Sequence, residues 1–282
     1  MPELPEVETT LRGIEPYVIG KVLSKVVVRN ASLRWPIPTS ALIRLEGQRV
    51  VKAERRAKYI ILYTDLAAIL LHLGMSGSLR VLDAGTEPGK HDHLDLEFEQ
   101  LEPQNKGSAS KKIIRLNDPR RFGCCLYIDL PIESHSLLAS LGPEPLSDGF
   151  NGEVLFERSR GRKQAVKNFI MDGKTVVGVG NIYASESLFE AGIRPTMAAG
   201  RVSKARYQTL AATIKAVLSK AINAGGTSLN DFTQTDGKPG YFKQELQVYG
   251  RAGEACNKCA DTIQSKVIGQ RSTFFCRQCQ SF

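Results

Sequence analysis

Four of the six cysteines stand in two CxxC pairs near the end of the 282-residue chain, and their spacing restricts how that segment can fold. The pairs are Cys256 with Cys259 and Cys276 with Cys279, and sixteen residues separate them. Two such knuckles place four thiolates around one tetrahedral ion, so the spacing predicts one structural zinc site. A segment this short buries too little apolar surface to fold without such a crosslink.

The residues between the two pairs predict a β-hairpin. Ser265 to Phe275 would form its strands, with the turn near Gly269 and Arg271 close to the tip. A guanidinium there could contact a phosphate, or Arg271 could be an ordinary solvated turn residue, and the pattern alone favours neither. Cys124 and Cys125 lack partners at ligand spacing, so we expect them in the apolar core.

The first 130 residues predict one helix followed by many short strands. Apolar residues recur at helical spacing from Glu3 to about Tyr17, with Pro16 predicted to end the helix. Strict alternation from His93 to Glu99 is typical of a half-buried strand. Further strands are predicted at Val22–Val28, Val50–Val51, Tyr59–Tyr63, Ala68–His72, Ile113–Leu116 and Cys125–Ile128. We therefore predict a β-sandwich or flattened barrel, within an α+β multidomain chain.

Composition changes after residue 130, and this predicts the domain limits. Proline and glycine crowd the interval 131–150, which is typical of a linker. Helical periodicity then dominates, with one long amphipathic helix from Tyr207 to Ala221 ending before Gly225. We predict a catalytic domain at 1–130, a helical DNA-binding domain at 151–243 and a zinc finger at 244–282. The polar stretch Gln100–Lys112 is predicted to be a surface hairpin tip.

The charge balance favours a polyanionic partner. The chain carries 38 Lys and Arg against 29 Asp and Glu, a net charge of +9. No apolar run approaches the roughly 18 residues of a membrane span. The acidic start, MPELPEVETT, lacks the pattern of a secretory signal. We expect a cytoplasmic monomer that associates with the nucleoid through DNA binding, with metal rather than disulfides at the paired cysteines.

Three polar segments are candidate DNA contacts, although each has a plainer explanation as a surface turn or a solvated face. DPRRFG (118–123) and HLGMSG (72–77) could display wedges that unstack a base step. TVVGVGNIYAS (175–185) opens a helix at about Asn181, which suits a phosphate, and a basic run that includes Lys167 precedes it. His91 and His93 are too few for a metal site, so they are either structural or phosphate-facing.

Taken together, the motifs resemble bacterial formamidopyrimidine-DNA glycosylases almost from end to end. The matching segments are MPELPEVETTLRGIEP, HLGMSGSLR, DPRRFG, LGPEPL, VVGVGNIYASESLF, DGKPGYF, QVYGR and the paired CxxC. The resemblance implies a β-sandwich, a helix–two-turn–helix domain and a zinc finger that bind damaged double-stranded DNA. It also implies a bifunctional glycosylase and lyase that excises 8-oxoguanine opposite cytosine and ring-opened formamidopyrimidines.

The same resemblance implies roles for individual residues. After removal of Met1, Pro2 would be the nucleophile, Glu3 the general acid and base, Glu6 a second acidic residue that positions the site, and Lys58 a phosphate contact. Met75, Arg120 and Phe122 would fill the space left by the flipped nucleotide, with Arg120 facing the orphaned base. The remaining expected DNA contacts are His91, Lys167, Asn181 and Arg271. The expected lesion-capping loop includes Thr235, Gly237, Lys238 and Tyr241.

Three other functions compete with this interpretation. The sister enzyme endonuclease VIII removes oxidised pyrimidines and shares Pro2, Glu3 and the zinc finger. A non-catalytic damage-binding protein would keep the DNA contacts but could lose the nucleophile, whereas Pro2 and Glu3 are both present here. A zinc hydrolase is disfavoured because four cysteines would leave the ion no open position.

Overall fold

The computed structural model describes residues 2–99, 111–226 and 245–282, which form two compact units. The first unit contains the described residues 2–99 and 111–139 with Gly225 and Gly226, and the second contains residues 140–224 and 245–282. Among these residues no helix has the length and apolar character needed to cross a membrane. The predicted domain limits stay predictions.

Helix α1 (Leu4–Val18) opens the first unit and buries one face in its core. The prediction that Pro16 ends this helix is wrong, because Pro16 lies inside its last turn. A proline removes only one hydrogen bond there, and the fully buried side chain of Val18 holds the turn against the core. The buried apolar positions of the helix are Leu4, Val7, Leu11, Ile14 and Val18.

Two four-stranded antiparallel sheets enclose a shared apolar core in the first unit, which confirms the predicted sandwich. One sheet has the order β1-β6-β7-β5 and the other β2-β3-β4-β8. Their strands are β1 (Leu23–Val28), β2 (Lys52–Arg56), β3 (Tyr59–Tyr63), β4 (Ala68–His72), β5 (Ser78–Asp83), β6 (Asp92–Glu99), β7 (Lys111–Asn117) and β8 (Cys124–Ile128). Short helices α2 (Thr39–Ile43) and α3 (Ser136–Ala139) and a 3₁₀ turn at Ile132–Ser134 complete the unit.

The sequence pattern missed β2 and β5. Strand β2 carries four charged residues, and β5 lacks a clean alternation of apolar and polar side chains. Both strands are instead fixed by their partners, β2 by its register with β3 and β5 by its register with β7. The predicted run Val50–Val51 lies immediately before β2.

A buried ion-pair network joins three strands of the first sheet. Arg115 on β7 is 1% exposed, and its guanidinium donates two hydrogen bonds of 2.8 Å to the carboxylate of Asp95 on β6. Arg29 donates to the same carboxylate at 2.5 Å, while Arg80 on β5 pairs with Asp92. Burial opposes ionisation of Asp95, but the bonds from Arg115 and Arg29 prevail and lower its pKa.

The second unit is helical and ends in a two-stranded hairpin. The longest helix, α7, begins at Lys204 with Ser203 as its N-cap and ends at Asn223. The predicted hairpin is confirmed, with its strands joined by a turn at Gly269 and Gln270. The elements are α4 (Gly152–Ser159), α5 (Val166–Met171), α6 (Asn181–Glu190), a 3₁₀ turn (Ala199–Arg201), α7 (Lys204–Asn223), β9 (Ile263–Ile268) and β10 (Arg271–Cys276).

The Asp95→Asn substitution is expected to destabilise the first unit by about 3 kcal/mol at pH 7, because the buried Arg115 would lose its closest anionic partner and keep the more distant Asp92 at 3.6 Å. The folded-state pKa of Asp95 lies below its usual value of about 3.9. Its ion pairs therefore contribute fully to the free energy of unfolding above about pH 4, and this contribution is lost as the pH falls through the folded-state pKa. The free energy of unfolding measured by urea titration should therefore fall less steeply below about pH 4 in the variant.

Asp83 provides the matched control, since its side chain is 80% exposed and pairs with Lys112 at the surface. The Asp83→Asn change should alter the free energy of unfolding by no more than about 0.5 kcal/mol. Equal effects at the two positions would contradict a special contribution from the buried network.

Candidate active site and nucleic-acid interface

The candidate catalytic residues at the N-terminus are buried around the start of α1. Pro2, Glu3 and Glu6 all have little exposure, with 2% for each glutamate. Glu3 and Glu6 form a reciprocal capping box, in which the backbone N–H of Glu3 donates to the Glu6 carboxylate at 2.8 Å. This pairing fixes the backbone directly after Pro2 and keeps two carboxylates close to the chain terminus.

Lys58 lies on the two-residue turn between β2 and β3. The preceding Ala57 has a left-handed backbone with φ 56°, which few residues other than glycine adopt. Arg55 holds this turn against α1, because it donates to Glu8 at 3.0 Å and to the Ala57 carbonyl at 3.0 Å. Lys58 is therefore displayed on a turn that is tied to the helix carrying the catalytic candidates.

His72, which sequence reasoning did not single out, anchors the turn that carries Met75. Its Nδ1 accepts a hydrogen bond from the backbone N–H of Gly74 at 3.0 Å, and its ring packs against Tyr59 at 5.1 Å between centroids. Burial, with the charges of Lys58 and Arg34 nearby, lowers the pKa of His72 to about 4. The imidazole is thus neutral at physiological pH and can act as this acceptor.

Arg120 and Phe122 lie on the turn between β7 and β8. The guanidinium of Arg120 stacks over the Phe122 ring at 5.2 Å, and Phe122 is 43% exposed despite its apolar character. A pocket of about 400 Å³ is bordered by this turn and by the segment Ser32–Arg34. An exposed aromatic ring beside several guanidiniums suits insertion into a base stack.

The two histidines of the HDH segment have different surroundings. His93 is buried, and its Nε2 donates to the Asp118 carbonyl at 2.8 Å, so His93 has a structural role. His91 is half-buried, and its backbone carbonyl accepts from the N–H of Asp118. Contact between the His91 side chain and DNA stays a prediction.

In the second unit, Asn181 begins α6 with Gly180 as N-cap and lies beside the zinc-finger hairpin. Its amide donates to the Ser272 carbonyl at 3.0 Å. Lys167 is fully buried, and its ammonium donates to the Asn181 side-chain oxygen at 2.5 Å and to Thr273 Oγ1 at 2.6 Å. The positive charge of Lys167 therefore lies directly behind the half-exposed amide of Asn181 at a helix N-terminus. Such an arrangement favours the binding of a phosphate.

Two other features of this cluster were not apparent from the sequence. Tyr249 reaches the Asn181 amide through its hydroxyl at 3.4 Å, and its ring packs edge-on against Phe274. The buried carboxylate of Glu186 on α6 accepts the consecutive backbone N–H groups of Gln247, Val248 and Tyr249 at 2.8 to 3.0 Å. Burial nevertheless raises the pKa of Glu186 above its usual value.

The basic run before Gly178 does not form one solvated cationic face. Arg158 donates to the carbonyls of Lys174 and Thr175, and Arg160 donates to those of Gly200 and Val202 while it stacks on Phe156. These guanidiniums cap backbone carbonyls within the second unit, where they stabilise turns.

The four cysteines of the CxxC pairs converge, as their spacing predicted. Their sulfur atoms all lie within 4.8 Å of one another, with Cys256 and Cys279 at 3.9 Å and Cys259 and Cys276 at 3.4 Å. Zn–S bonds of 2.3 Å in a tetrahedron require sulfur separations of about 3.8 Å, so the cluster fits zinc. Burial opposes ionisation of Cys256, but backbone N–H groups of Lys258 and Cys259 lower its pKa to about 7.

Cys124 and Cys125 are buried in β8, as expected of core residues, and burial raises the pKa of both thiols. Arg271 is exposed at the start of β10. Thr235, Gly237, Lys238 and Tyr241, predicted to form a lesion-capping loop, lie outside the described residues, as does most of the polar stretch 100–112.

Comparison with known sequence families gives three consecutive matches. Residues 1–125 match the formamidopyrimidine-DNA glycosylase N-terminal domain, residues 141–233 match the H2TH domain of the same enzymes, and residues 253–281 match the zinc finger found in FPG and IleRS. The formamidopyrimidine-DNA glycosylase of Alcanivorax borkumensis is 57% identical, with 99% of this chain and 100% of that protein covered. That of Pseudomonas aeruginosa is 54% identical, with the same coverage.

Solved structures give the same similarity. The MutM (Fpg) protein of Thermus thermophilus superposes with a TM-score of 0.85 at 34% identity, covering 99% of this chain and 98% of that one. Lactococcus lactis Fpg, in a complex with DNA containing an abasic site, gives 0.87 at 30% identity, covering 99% and 100%. A structure of MutM with DNA containing carbocyclic 8-oxo-G gives 0.87 at 31% identity, with complete coverage of both chains.

Replacement of Cys276 by serine is expected to remove zinc from the protein, since a tetrahedral site with three thiolates binds the ion much more weakly. Metal analysis should give about one zinc per wild-type chain and far less in the variant, together with faster proteolysis of the C-terminal hairpin. Cys124→Ala is the control, because that buried thiol lies outside the cluster, and it should retain the metal. Loss of zinc from both variants would contradict this assignment.

Replacement of Arg271 by alanine is expected to weaken binding of lesion-containing and undamaged duplexes by a similar factor. A phosphate contact carries no sequence information, and its loss should reduce the slope of log K against log salt concentration by about 1. Fluorescence anisotropy over a salt series measures both quantities. Arg277→Ala, a change at another exposed arginine of the same finger, should leave the slope unchanged. Equal slopes for all three proteins would exclude the proposed phosphate contact.

Proposed function

The chain belongs to the formamidopyrimidine-DNA glycosylase family, and from that premise we propose that it is a bifunctional DNA glycosylase and AP lyase of base excision repair. Its proposed substrates are oxidised purines in duplex DNA, 8-oxoguanine opposite cytosine and formamidopyrimidines. The observation that carries this proposal is the similarity over 99% of the chain to relatives at 53 to 57% identity, joined to the buried residues Pro2 and Glu3.

The proposed nucleophile is the secondary amine of Pro2, which is exposed when Met1 is removed. A terminal α-amine has a pKa of about 8 against about 10.4 for lysine, so an appreciable fraction is neutral at physiological pH. The amine bonds to C1′ while the C1′–N bond breaks and the base leaves with a proton. Opening of the sugar ring then gives an iminium ion that acidifies the hydrogens on C2′.

Strand cleavage follows from that acidity. Loss of a C2′ proton expels the 3′ phosphate by β-elimination, and a further proton loss expels the 5′ phosphate by δ-elimination. Water finally hydrolyses the iminium and regenerates the free amine of Pro2. Glu3 is proposed to donate and accept the protons in these steps, because its carboxylate follows the nucleophile directly in the chain.

The remaining residues are proposed to hold the substrate. Glu6 orients Glu3 by accepting its backbone N–H at 2.8 Å. Lys58, His91, Lys167, Asn181 and Arg271 are proposed to contact the DNA backbone, directly or through a neighbour. Met75, Arg120 and Phe122 are proposed to fill the gap left by the flipped nucleotide. Thr235, Gly237, Lys238 and Tyr241 are proposed to cap the flipped base.

Zinc is assigned a structural role. With four cysteine ligands the ion has no open coordination position, so it crosslinks the finger that presents Arg271. The protein is proposed to act as a monomer on chromosomal DNA in the cytoplasm, where its substrate lies.

Incubation with a duplex containing 8-oxoguanine opposite cytosine in the presence of borohydride is expected to trap a covalent adduct. Reduction converts the iminium to a stable amine, and mass spectrometry should locate the crosslink at Pro2. Glu3→Gln keeps the shape of the side chain but removes its acid–base function, so base release should fall by about a hundredfold or more. Glu15→Gln, the same change on the same helix, should have little effect.

Each alternative function has a different outcome in this assay. An adduct with an oxidised-pyrimidine duplex but none with 8-oxoguanine would favour the activity of endonuclease VIII. The absence of an adduct with either duplex, from protein with a mature N-terminal proline and bound zinc, would leave only a damage-binding protein.

A further inference from the structure

Asp118, at the first position of the turn that carries Arg120 and Phe122, has no solvent exposure. One carboxylate oxygen accepts the hydroxyl of Ser76 at 2.9 Å and the backbone N–H of Arg120 at 3.3 Å. The other accepts the backbone N–H of Gly123 at 2.8 Å. Ser76 belongs to the turn that carries Met75, so this carboxylate links the two turns with the candidate wedges.

The backbone of Asp118 is fixed as well. Its N–H donates to the His91 carbonyl at 3.0 Å, and its own carbonyl accepts from His93 Nε2 at 2.8 Å. The His93 ring is buried, and a carbonyl cannot donate, so Nε2 carries the proton. Asp118 is thus attached to β6 on one side and to both wedge turns on the other.

The two turns also touch through their backbones. A Cβ atom on Gly74 would lie 2.5 Å from the carbonyl carbon of Phe122 and the nitrogen of Gly123. A Cβ atom on Gly123 would lie 2.6 Å from the His72 carbonyl oxygen. No side chain separates the turns, so a shift of one requires a shift of the other.

We propose that Asp118 is a positioning residue that holds Met75, Arg120 and Phe122 as one rigid wedge and thereby sets the discrimination of the base opposite the lesion. This inference rests on the proposed function, in which the wedge opens the base stack. Three donors converge on the two carboxylate oxygens, which together offer about four lone pairs. An amide offers one oxygen, and its NH₂ group would face a donor.

The test is Asp118→Asn, compared with wild type under single-turnover conditions on three duplexes. With 8-oxoguanine opposite cytosine, base release should slow by about 10- to 100-fold, the effect of losing a hydrogen bond to a buried charge. The preference for cytosine over adenine opposite the lesion should narrow, because Arg120 is no longer held. Cleavage of a preformed abasic site should stay within about threefold of wild type, because it requires no base to be excised.

A direct readout of the wedge is the fluorescence of 2-aminopurine placed in the complementary strand beside the base opposite the lesion. In wild type the fluorescence should rise on binding, as the neighbouring bases unstack, and in the variant the rise should be slower and smaller. Asp129→Asn, the same chemical change at an exposed aspartate after β8, is the control and should match wild type in every assay.

Ser76→Ala provides the second variant, since it removes one of the three donors and leaves the charge in place. Its cytosine preference should lie between those of wild type and Asp118→Asn, and this measurement decides the matter if the asparagine variant does not fold. Unchanged discrimination, together with a parallel loss of base release and abasic-site cleavage, would overturn the proposal. Wild-type protein that processes neither 8-oxoguanine nor the abasic site would instead overturn the proposed function.

Discussion

Buried carboxylates that accept backbone N–H groups are the interaction on which the arrangement of this protein depends. Removing a carboxylate from water is costly unless donors replace the lost solvation, so each such group imposes a geometry on its neighbours. Glu6 holds the backbone beside Pro2, Asp118 holds the wedge turns, and Glu186 holds the segment Gln247–Tyr249. The first two segments contain candidate site residues, the third contacts Asn181 through Tyr249, and all three carboxylates are buried.

The buried cations have a complementary role. Arg115 joins β7 to β6 through Asp95, whereas Lys167 lies behind Asn181 and binds to the zinc-finger strand through Thr273. Because a buried ammonium or guanidinium is tolerated only with several acceptors, these residues fix the spacing between segments that are far apart in sequence. The four-cysteine cluster has a similar effect on a segment with few apolar residues, since its crosslink ties the chain before β9 to the end of β10, the strand that packs against α6. The segments that carry the proposed DNA contacts Asn181 and Arg271 are therefore held in place by buried hydrogen bonds and by the cysteine cluster.

Local patterns predicted much of this architecture. Helical periodicity located α1 and α7, alternation located β6, and cysteine spacing located the metal cluster, because each signal comes from residues close together in the chain. Strand β2 was not predicted, because most of its side chains are charged and the strand is fixed by its pairing with β3. The contact of Lys167 with Thr273 spans 106 residues, and no local pattern encodes it. The roles of Pro2 and Glu3 came from the resemblance to a known family. Without it, the sequence would suggest only that both are ordinary residues at the start of a helix.

The neutral imidazole of His72 has a consequence for the response of the enzyme to acidity. With a pKa of about 4, the ring keeps a single protonation state above about pH 5 and continues to accept the N–H of Gly74. The turn bearing Met75 therefore keeps this hydrogen bond throughout the range in which the proposed nucleophilic amine would titrate. Under the proposed mechanism, acidification would protonate the amine of Pro2 and stop the chemistry, while the hydrogen bond that holds the Met75 turn would persist.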